Sequence, residues 1–230
     1  MLKMRSILVP AVPVLCCVLW GCVASLPRPQ ALRPGTYERK LDIRVMGARR
    51  FYRLHVPAGY DRRVKTPLVV VLHGAFSTPR QMERESGFSE LAEREGFLAA
   101  YPAGAYGLFG LFRHWNAGHC CGKAAADGVD DVGFLLRVIQ DIGRTCNVDP
   151  ARVYMAGFSN GGMLTYRFAA ERTSVLAAAA PLAASPGGRA SSDRPPWMTP
   201  TPQAPLPLIV FHARDDDSVP FEGGTSPRNG

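Results

Sequence analysis

The chain has 230 residues, of which 47% are hydrophobic and 20% charged, a balance that supports one globular domain with a substantial core and excludes a disordered chain. Its formal charge of +8 comes mainly from arginines spread along the sequence, with lysine only at Lys3, Lys40, Lys65 and Lys123. No helix or loop gathers these charges beside aromatic residues, which argues against a nucleic-acid binder.

Residues 1–25 have the layout of an export signal: Lys3 and Arg5, an apolar run from Ile7 to Trp20, then small residues at Gly21, Ala24 and Ser25. Pro10 and Pro13, in a run too short for a bilayer core of about 30 Å, favour a cleaved or lipidated leader over a membrane span. Leu19-Trp20-Gly21-Cys22 resembles a bacterial lipobox, which would put a lipid anchor on Cys22; simple cleavage near Ala24 or Ser25 is the alternative. Either route leads to the cell envelope or the extracellular space. In that oxidising setting, Cys120, Cys121 and Cys146 are expected to form one disulfide, from Cys146 to Cys120 or Cys121.

Residues 26–36 are rich in proline and polar groups and read as a linker, so the domain spans 37–230. Alternating segments at 37–45 and 51–56, around Gly47-Ala48-Arg49, predict an antiparallel hairpin at a sheet edge. Pro67-Leu68-Val69-Val70-Val71-Leu72 does not alternate, as expected of a central strand covered on both faces. Residues 79–94, with Met82, Phe88, Leu91 and Ala92 among charges, predict one helix before a strand at 97–101. The stretch 102–128 holds too many glycines and aromatics for regular structure, and so long a loop within a compact domain is usually functional. Asp130 or Asp131 then opens a helix with Leu135, Val138, Ile139 and Ile142 on one face. A strand at 152–156, a helix at 160–172 and a strand at 176–183 complete an α/β pattern with a mostly parallel sheet and helices on both faces. Residues 185–207 read as a surface excursion, and 208–211 as the last strand.

Gly157-Phe158-Ser159-Asn160-Gly161 lies between a strand and a helix, the setting in which G-x-S-x-G forms a nucleophile elbow. Glycines at both flanks allow the tight turn that lifts the Ser159 hydroxyl above the sheet at a helix N-terminus. The central strand runs into His73-Gly74-Ala75-Phe76, where such folds supply one oxyanion amide, here that of Ala75; the other would be that of Asn160. His73 is read as packing against and orienting this loop, not as the base. The third element, His212-Ala213-Arg214-Asp215-Asp216-Asp217, follows a strand downstream of the serine, where the carboxylate of a triad belongs. This chemistry calls for no metal and no cofactor.

These stretches, together with Trp115-Asn116-Ala117-Gly118, Cys120-Cys121-Gly122, Val129-Asp130-Asp131-Val132-Gly133-Phe134 and Arg152-Val153-Tyr154, resemble the secreted polyhydroxybutyrate depolymerase and feruloyl esterase group of α/β-hydrolases, including its lipoprotein members. The resemblance implies an α/β-hydrolase fold and an acyl-serine esterase. It places the acid on Asp216, with Asp215 as the fallback, and Ala213 and Phe221 standing where the pattern has glycine and tyrosine. It also implies a catalytic histidine on a loop well after the acid, yet no histidine follows His212. The chain therefore reads as a hydrolase domain lacking its C-terminal strand and helix, and losing the base would cost on the order of a millionfold in rate. The expected substrate is a carboxylic ester, either a polyhydroxyalkanoate-type polymer or a feruloyl-type aromatic ester. Tyr106, Leu108, Phe109, Leu111, Phe112 and Trp115 could grip it, with Phe112 and Trp115 singled out; filling a small core under the loop is the alternative. Two rival readings remain: an inactive hydrolase fold kept as an envelope binding protein, and a metal enzyme using His114, His119, Cys120 and Cys121, whose spacing matches no structural zinc pattern.

Overall fold

A computed structural model describes residues 32–105, 112–189 and 195–224. At its centre are six strands in the order β1-β2-β4-β3-β5-β6: β1 Gly35–Val45, β2 Ala48–Val56, β3 Thr66–Leu72, β4 Leu98–Pro102, β5 Val148–Phe158 and β6 Ala178–Leu182. The β1–β2 hairpin and the β2–β4 pair are antiparallel, while β4, β3, β5 and β6 run parallel. The hairpin closes on Met46 and Gly47, both at positive φ, with Val45 opposite Ala48, one position earlier than the sequence suggests.

Helices cover both faces of β3, whose Leu68, Val70, Val71 and Leu72 have no exposed surface. One face packs on α4 (Asp131–Thr145) and α5 (Asn160–Glu171) through Phe134, Leu135, Val138, Leu164 and Phe168. The other packs on α1 (Pro79–Ser86) and α2 (Phe88–Glu95) through Met82, Phe88, Leu91 and Ala92. The single helix expected over 79–94 is broken at Gly87, whose φ of 65° ends α1 and lets α2 start in a new direction. Asp130 is the cap of α4, accepting from Gly133 N–H at 2.8 Å, which frees Asp131 to turn inward. Among its described residues the long loop holds one short helix, α3 (Gly122–Ala126). The excursion after β6 is not wholly irregular, since β7 (Gly187–Gly188) and β8 (Trp197–Met198) pair as a small ribbon.

The expected last strand runs parallel to β6. Single bridges join Leu208 to Ala179 and Phe211 to Leu182, and Ala183 N–H donates to Phe211 O at 2.8 Å. Among the described residues the segment is the outer rim of the sheet, with Leu208, Ile209, Val210 and Phe211 each about half exposed.

The expected disulfide is not the one formed. Cys120 is paired with its neighbour Cys121, and Cys146 is a free, buried thiol. The reason is topological: Cys146 ends α4 just before β5 begins, whereas Cys120 lies beside Asn160 just after β5 ends. The length of β5 separates them.

Candidate active site

Because β3, β5 and β6 are parallel, their C-terminal ends meet at one rim, with Leu72 opposite Gly157, Gly157 opposite Pro181 and Phe158 opposite Leu182. Ser159 stands there, half-buried, between β5 and α5, with φ 52° and ψ −122°. That backbone is rarely adopted by a residue with a side chain, and it persists only when the surroundings enforce it. Here Ser159 N–H donates to Leu182 O at 2.8 Å, and Ser159 O accepts from Met163 N–H at 2.9 Å. The glycines are required for space as well as conformation. A Cβ on Gly157 would collide with Gly161 O, and one on Gly161 would lie 2.5 Å from His73 O and 2.7 Å from Leu72 O. Among the described residues, five without the excuse of being glycine have positive φ; Met46 is in the hairpin turn, and Phe76, Phe112, Ser159 and Ala183 all belong to the loops of this rim.

The His73-Gly74-Ala75 loop closes over the elbow, since a Cβ on Gly74 would meet the Phe158 ring at 3.0 Å. Asn160 is the first residue of α5, so its backbone N–H has no acceptor within the helix and sits at the positive end of the helix dipole. Its buried side chain is fully engaged: Trp115 N–H donates to Oδ1 at 2.7 Å, and Nδ2 donates to Trp115 O at 3.0 Å. His73 is buried with both ring nitrogens committed. Nε2 accepts from Gly104 N–H at 3.0 Å, so Nδ1 carries the proton and donates to Gly74 O at 2.7 Å. Burial lowers its pKa to about 4 against the opposing pull of the Gly74 carbonyl, so the ring is neutral and shapes the loop.

Asp216 follows the outer segment 208–211 on the same rim. Its Oδ1 accepts from Ser218 N–H and Val219 N–H, each at 2.9 Å, and its Oδ2 lies 3.5 Å from His212 Nε2, which also meets Val219 O at 2.7 Å. Asp215 is exposed, in the turn that carries Asp216.

Phe112 is about half exposed and meets Phe76 edge-to-face at 6.2 Å between ring centres. Trp115 is fully buried, and the contact with substrate expected of it is corrected: a ring with no exposed surface has no face to offer. Its indole N–H donates to His73 O at 2.8 Å. Tyr106, Leu108, Phe109 and Leu111 lie outside the described residues. Of the residues in the metal reading, Cys120 and Cys121 are tied to each other; His114 packs edge-to-face on Phe76, and His119 Nε2 meets Ser185 Oγ at 3.2 Å. No three His, Cys, Asp or Glu side chains gather as a metal site among the described residues.

Two features of the site escape a reading of the sequence alone. Arg50 and Asp131 form a buried ion pair at 2.7 Å, and Asp131 Oδ2 also accepts from Asn116 N–H at 2.7 Å, anchoring the Trp115 loop to the start of α4. The guanidinium lies 3.8 Å above the Phe134 ring. Burial pushes the Asp131 carboxyl up while Arg50 pulls it down, and burial lowers Arg50 itself. The acidic pair Asp130-Asp131 signals a helix cap, but only the fold shows that Asp131 turns inward. The second feature is a cleft of about 850 Å³ between the 118–126 loop, the β7–β8 ribbon and the acid loop, lined by His119, Met163, Trp197 and Val219 among others. Trp197 stacks on His119 at 5.7 Å and lies flat against Gly118, so the excursion forms a wall of the cleft.

Residues 50–193 match the family described as Esterase PHB depolymerase. The chain belongs to that family. Feruloyl esterase B of Piromyces equi is 32% identical over 176 residues, covering 74% of this chain and 30% of that one. Poly(3-hydroxyalkanoate) depolymerase C of Paucimonas lemoignei is 32% identical over 137 residues, covering 57% of this chain and 30% of that one. A solved structure of a thermostable esterase aligns with a TM-score of 0.54 at 24% identity, over 82% of this chain and 49% of that one, and shares the α/β-hydrolase fold. The chain spans about half or less of the length of the curated relatives it matches. The range matched to the Esterase PHB depolymerase family includes Ala75, Trp115, Ser159 and Asn160; Asp216 lies beyond it. Among the described residues no helix is long and apolar enough to cross a membrane.

Proposed function

We propose that this member of the Esterase PHB depolymerase family hydrolyses carboxylic esters through an acyl-serine intermediate on Ser159. The observation that carries this reading is the backbone of Ser159, at φ 52° between β5 and α5 and enclosed by glycines that leave room for nothing larger. Ser159 Oγ attacks the ester carbonyl carbon as its O–H bond breaks, and the carbonyl oxygen becomes an oxyanion received by the amides of Ala75 and Asn160; on collapse the bond to the leaving oxygen breaks, and the proton given up by Ser159 goes to that oxygen, which departs as the alcohol. Water then attacks the acyl carbon, one of its protons returns to Ser159 Oγ, and the acid is released. Each preorganised amide contributes about 3 to 4 kcal/mol to such a transition state. Asp216 is the triad carboxylate, supported by two backbone donors that fix one of its oxygens on the rim. No histidine of this chain is assigned as the base, since His73 has both nitrogens committed and His212 Nε2 is turned to Val219 O.

The substrate is an ester with an apolar acyl part, polymeric or aromatic. Exposed Phe76, Phe112 and Phe221 on the loops of this rim, and Phe158 at the end of β5, support that choice. Exported location, with lipid on Cys22 or cleavage after the leader, belongs to the same proposal. The engagement of His73 favours one second reading, an envelope binding protein on the same fold. A fluorophosphonate probe separates the two: labelling of the full chain that is lost in Ser159→Ala, with parallel loss of p-nitrophenyl butyrate hydrolysis, is expected. Equal labelling of both proteins would overturn the esterase, and no labelling of either would leave the binding protein standing.

A further inference from the structure

Among the described residues Trp115 is the largest side chain with no exposed surface, and it is polar at one edge. A buried indole N–H needs an acceptor, and in an ordinary core position it would take whichever carbonyl lay nearest. Here the acceptor is His73 O, at 2.8 Å, two residues before Ala75. The backbone of the same residue holds the other half of the elbow. Trp115 N–H donates to Asn160 Oδ1 and Trp115 O accepts from Asn160 Nδ2, so the Asn160 amide group pairs with a single residue's backbone at both ends. The indole also lies 4.9 Å from the His73 ring, whose Nδ1–H fixes Gly74 O. One residue therefore touches both loops to which the oxyanion donors are assigned, and those loops follow strands far apart in sequence.

Resting on the esterase reading above, we propose that Trp115 is a positioning residue that sets the Ala75 and Asn160 amides in register with each other. The distance between two oxyanion donors must match one oxygen, and donors misplaced by even part of an ångström lose much of their effect. Gly161 permits this arrangement, because only a residue without a Cβ lets α5 approach His73 O while the indole holds that carbonyl from another side. The Trp115 loop is itself fixed one residue on, where Asn116 N–H meets buried Asp131. Phenylalanine at 115 would fill most of the volume, keep the backbone pairing with Asn160 and remove the indole's grip on His73 O alone.

The test uses the full chain and Trp115→Phe, read by two measurements. In ¹H–¹⁵N spectra, the amide resonances of both Ala75 and Asn160 are expected to shift in Trp115→Phe, while those of the β1–β2 hairpin stay in place. In p-nitrophenyl butyrate hydrolysis, kcat should fall about 10- to 100-fold with KM within twofold, since only transition-state stabilisation is lost. Should Trp115→Phe fail to fold, Asn160→Asp keeps the indole but sets a carboxylate against Trp115 O; the Ala75 resonance, on the other loop, should still move. If Ala75 is unmoved in both variants, or kcat is unchanged while only the melting temperature drops, Trp115 is core packing and nothing more. Absence of turnover in the unaltered chain, or full turnover in Ser159→Ala, would defeat the serine esterase instead, and the amide shifts would still judge Trp115.

Discussion

The nucleophile corner and the acid loop share a rim but are held in unlike ways. Around Ser159, hydrogen bonds join residues distant in sequence and buried from water: Trp115 to Asn160, Trp115 to His73, His73 to Gly104, Asp131 to Asn116. Around Asp216, the bonds to Ser218 N–H and Val219 N–H and that of His212 to Val219 O are local turns within 212–219, and the segment leading to it touches β6 through two single bridges. A buried bond is not weakened by competing solvent and transmits strain to its neighbours, whereas an exposed turn adjusts without disturbing the sheet. Substitutions at the first region should therefore lower stability and activity together, and those at the second should separate the two.

The largest expected loss follows Asp131→Asn. It leaves the Arg50 guanidinium, only 4% exposed, without its counter-charge, and removal of one member of a buried ion pair costs about 3 to 5 kcal/mol. Urea denaturation should show that loss with an unchanged slope. A loss below about 1 kcal/mol would mean that water reaches the pair, and the contrast between the two regions would weaken.

His73 gives the next effect, and it depends on pH. Its pKa is about 4 in the folded chain because of burial, against an ordinary value of about 6.5, so as the medium is acidified the unfolded chain takes up the proton first. The stability held by neutral His73 is whole above pH 6.5 and is lost progressively toward pH 4, on the order of 3 kcal/mol over the interval. Burial lowers His114 and His119 as well, with the same sense. His73→Asn retains a donor for Gly74 O and removes the titration; its stability should vary less between pH 4.5 and 7 than that of the parent chain. Identical pH slopes would show that His73 is not the group responsible.

The contrast also explains what the sequence disclosed. Ser159 and its glycines were legible because a tight strand-to-helix corner constrains residue types at fixed spacing, and β3 was legible because burial on both faces removes alternation. The break at Gly87 was hidden, since the apolar positions of α1 and α2 continue across it. Trp115 and Asp131 were misread or passed over because their partners, His73, Asn160 and Arg50, lie 42, 45 and 81 residues away. Spacing reveals local chemistry; a long-range hydrogen bond leaves no period in the chain. The cysteines failed for the same reason, with compartment pointing to a disulfide and only the strand length deciding which one.

At the acid loop, Asp216→Ala removes two local acceptor contacts of the kind that cap a helix, so stability should fall by about 1 kcal/mol. Activity in p-nitrophenyl butyrate hydrolysis should fall as well, by less than the roughly 10⁴-fold loss of a complete triad, because no histidine of this chain is assigned for the carboxylate to orient. Asp215→Ala, at the exposed neighbour, should change neither by a measurable amount. Should Asp215→Ala produce the larger kinetic loss, the carboxylate assignment moves by one residue while the nucleophile corner is untouched.

A small change in folding energy is also expected at Ile209, on the outer rim. Its N–H donates to Ala179 O, a bond that belongs to the backbone and survives any side chain other than proline, while about half of its side chain faces solvent. Ile209→Lys should thus shift the unfolding free energy by no more than about 0.5 kcal/mol. A strand edge flanked by exposed Leu208, Val210 and Phe211 is also a template for pairing with another chain, and a charge at its centre opposes that pairing. Light scattering during slow heating should show aggregation delayed in Ile209→Lys at nearly constant melting temperature. A loss of several degrees instead would mean that this segment is packed as firmly as the nucleophile corner, and the two regions would no longer differ in kind.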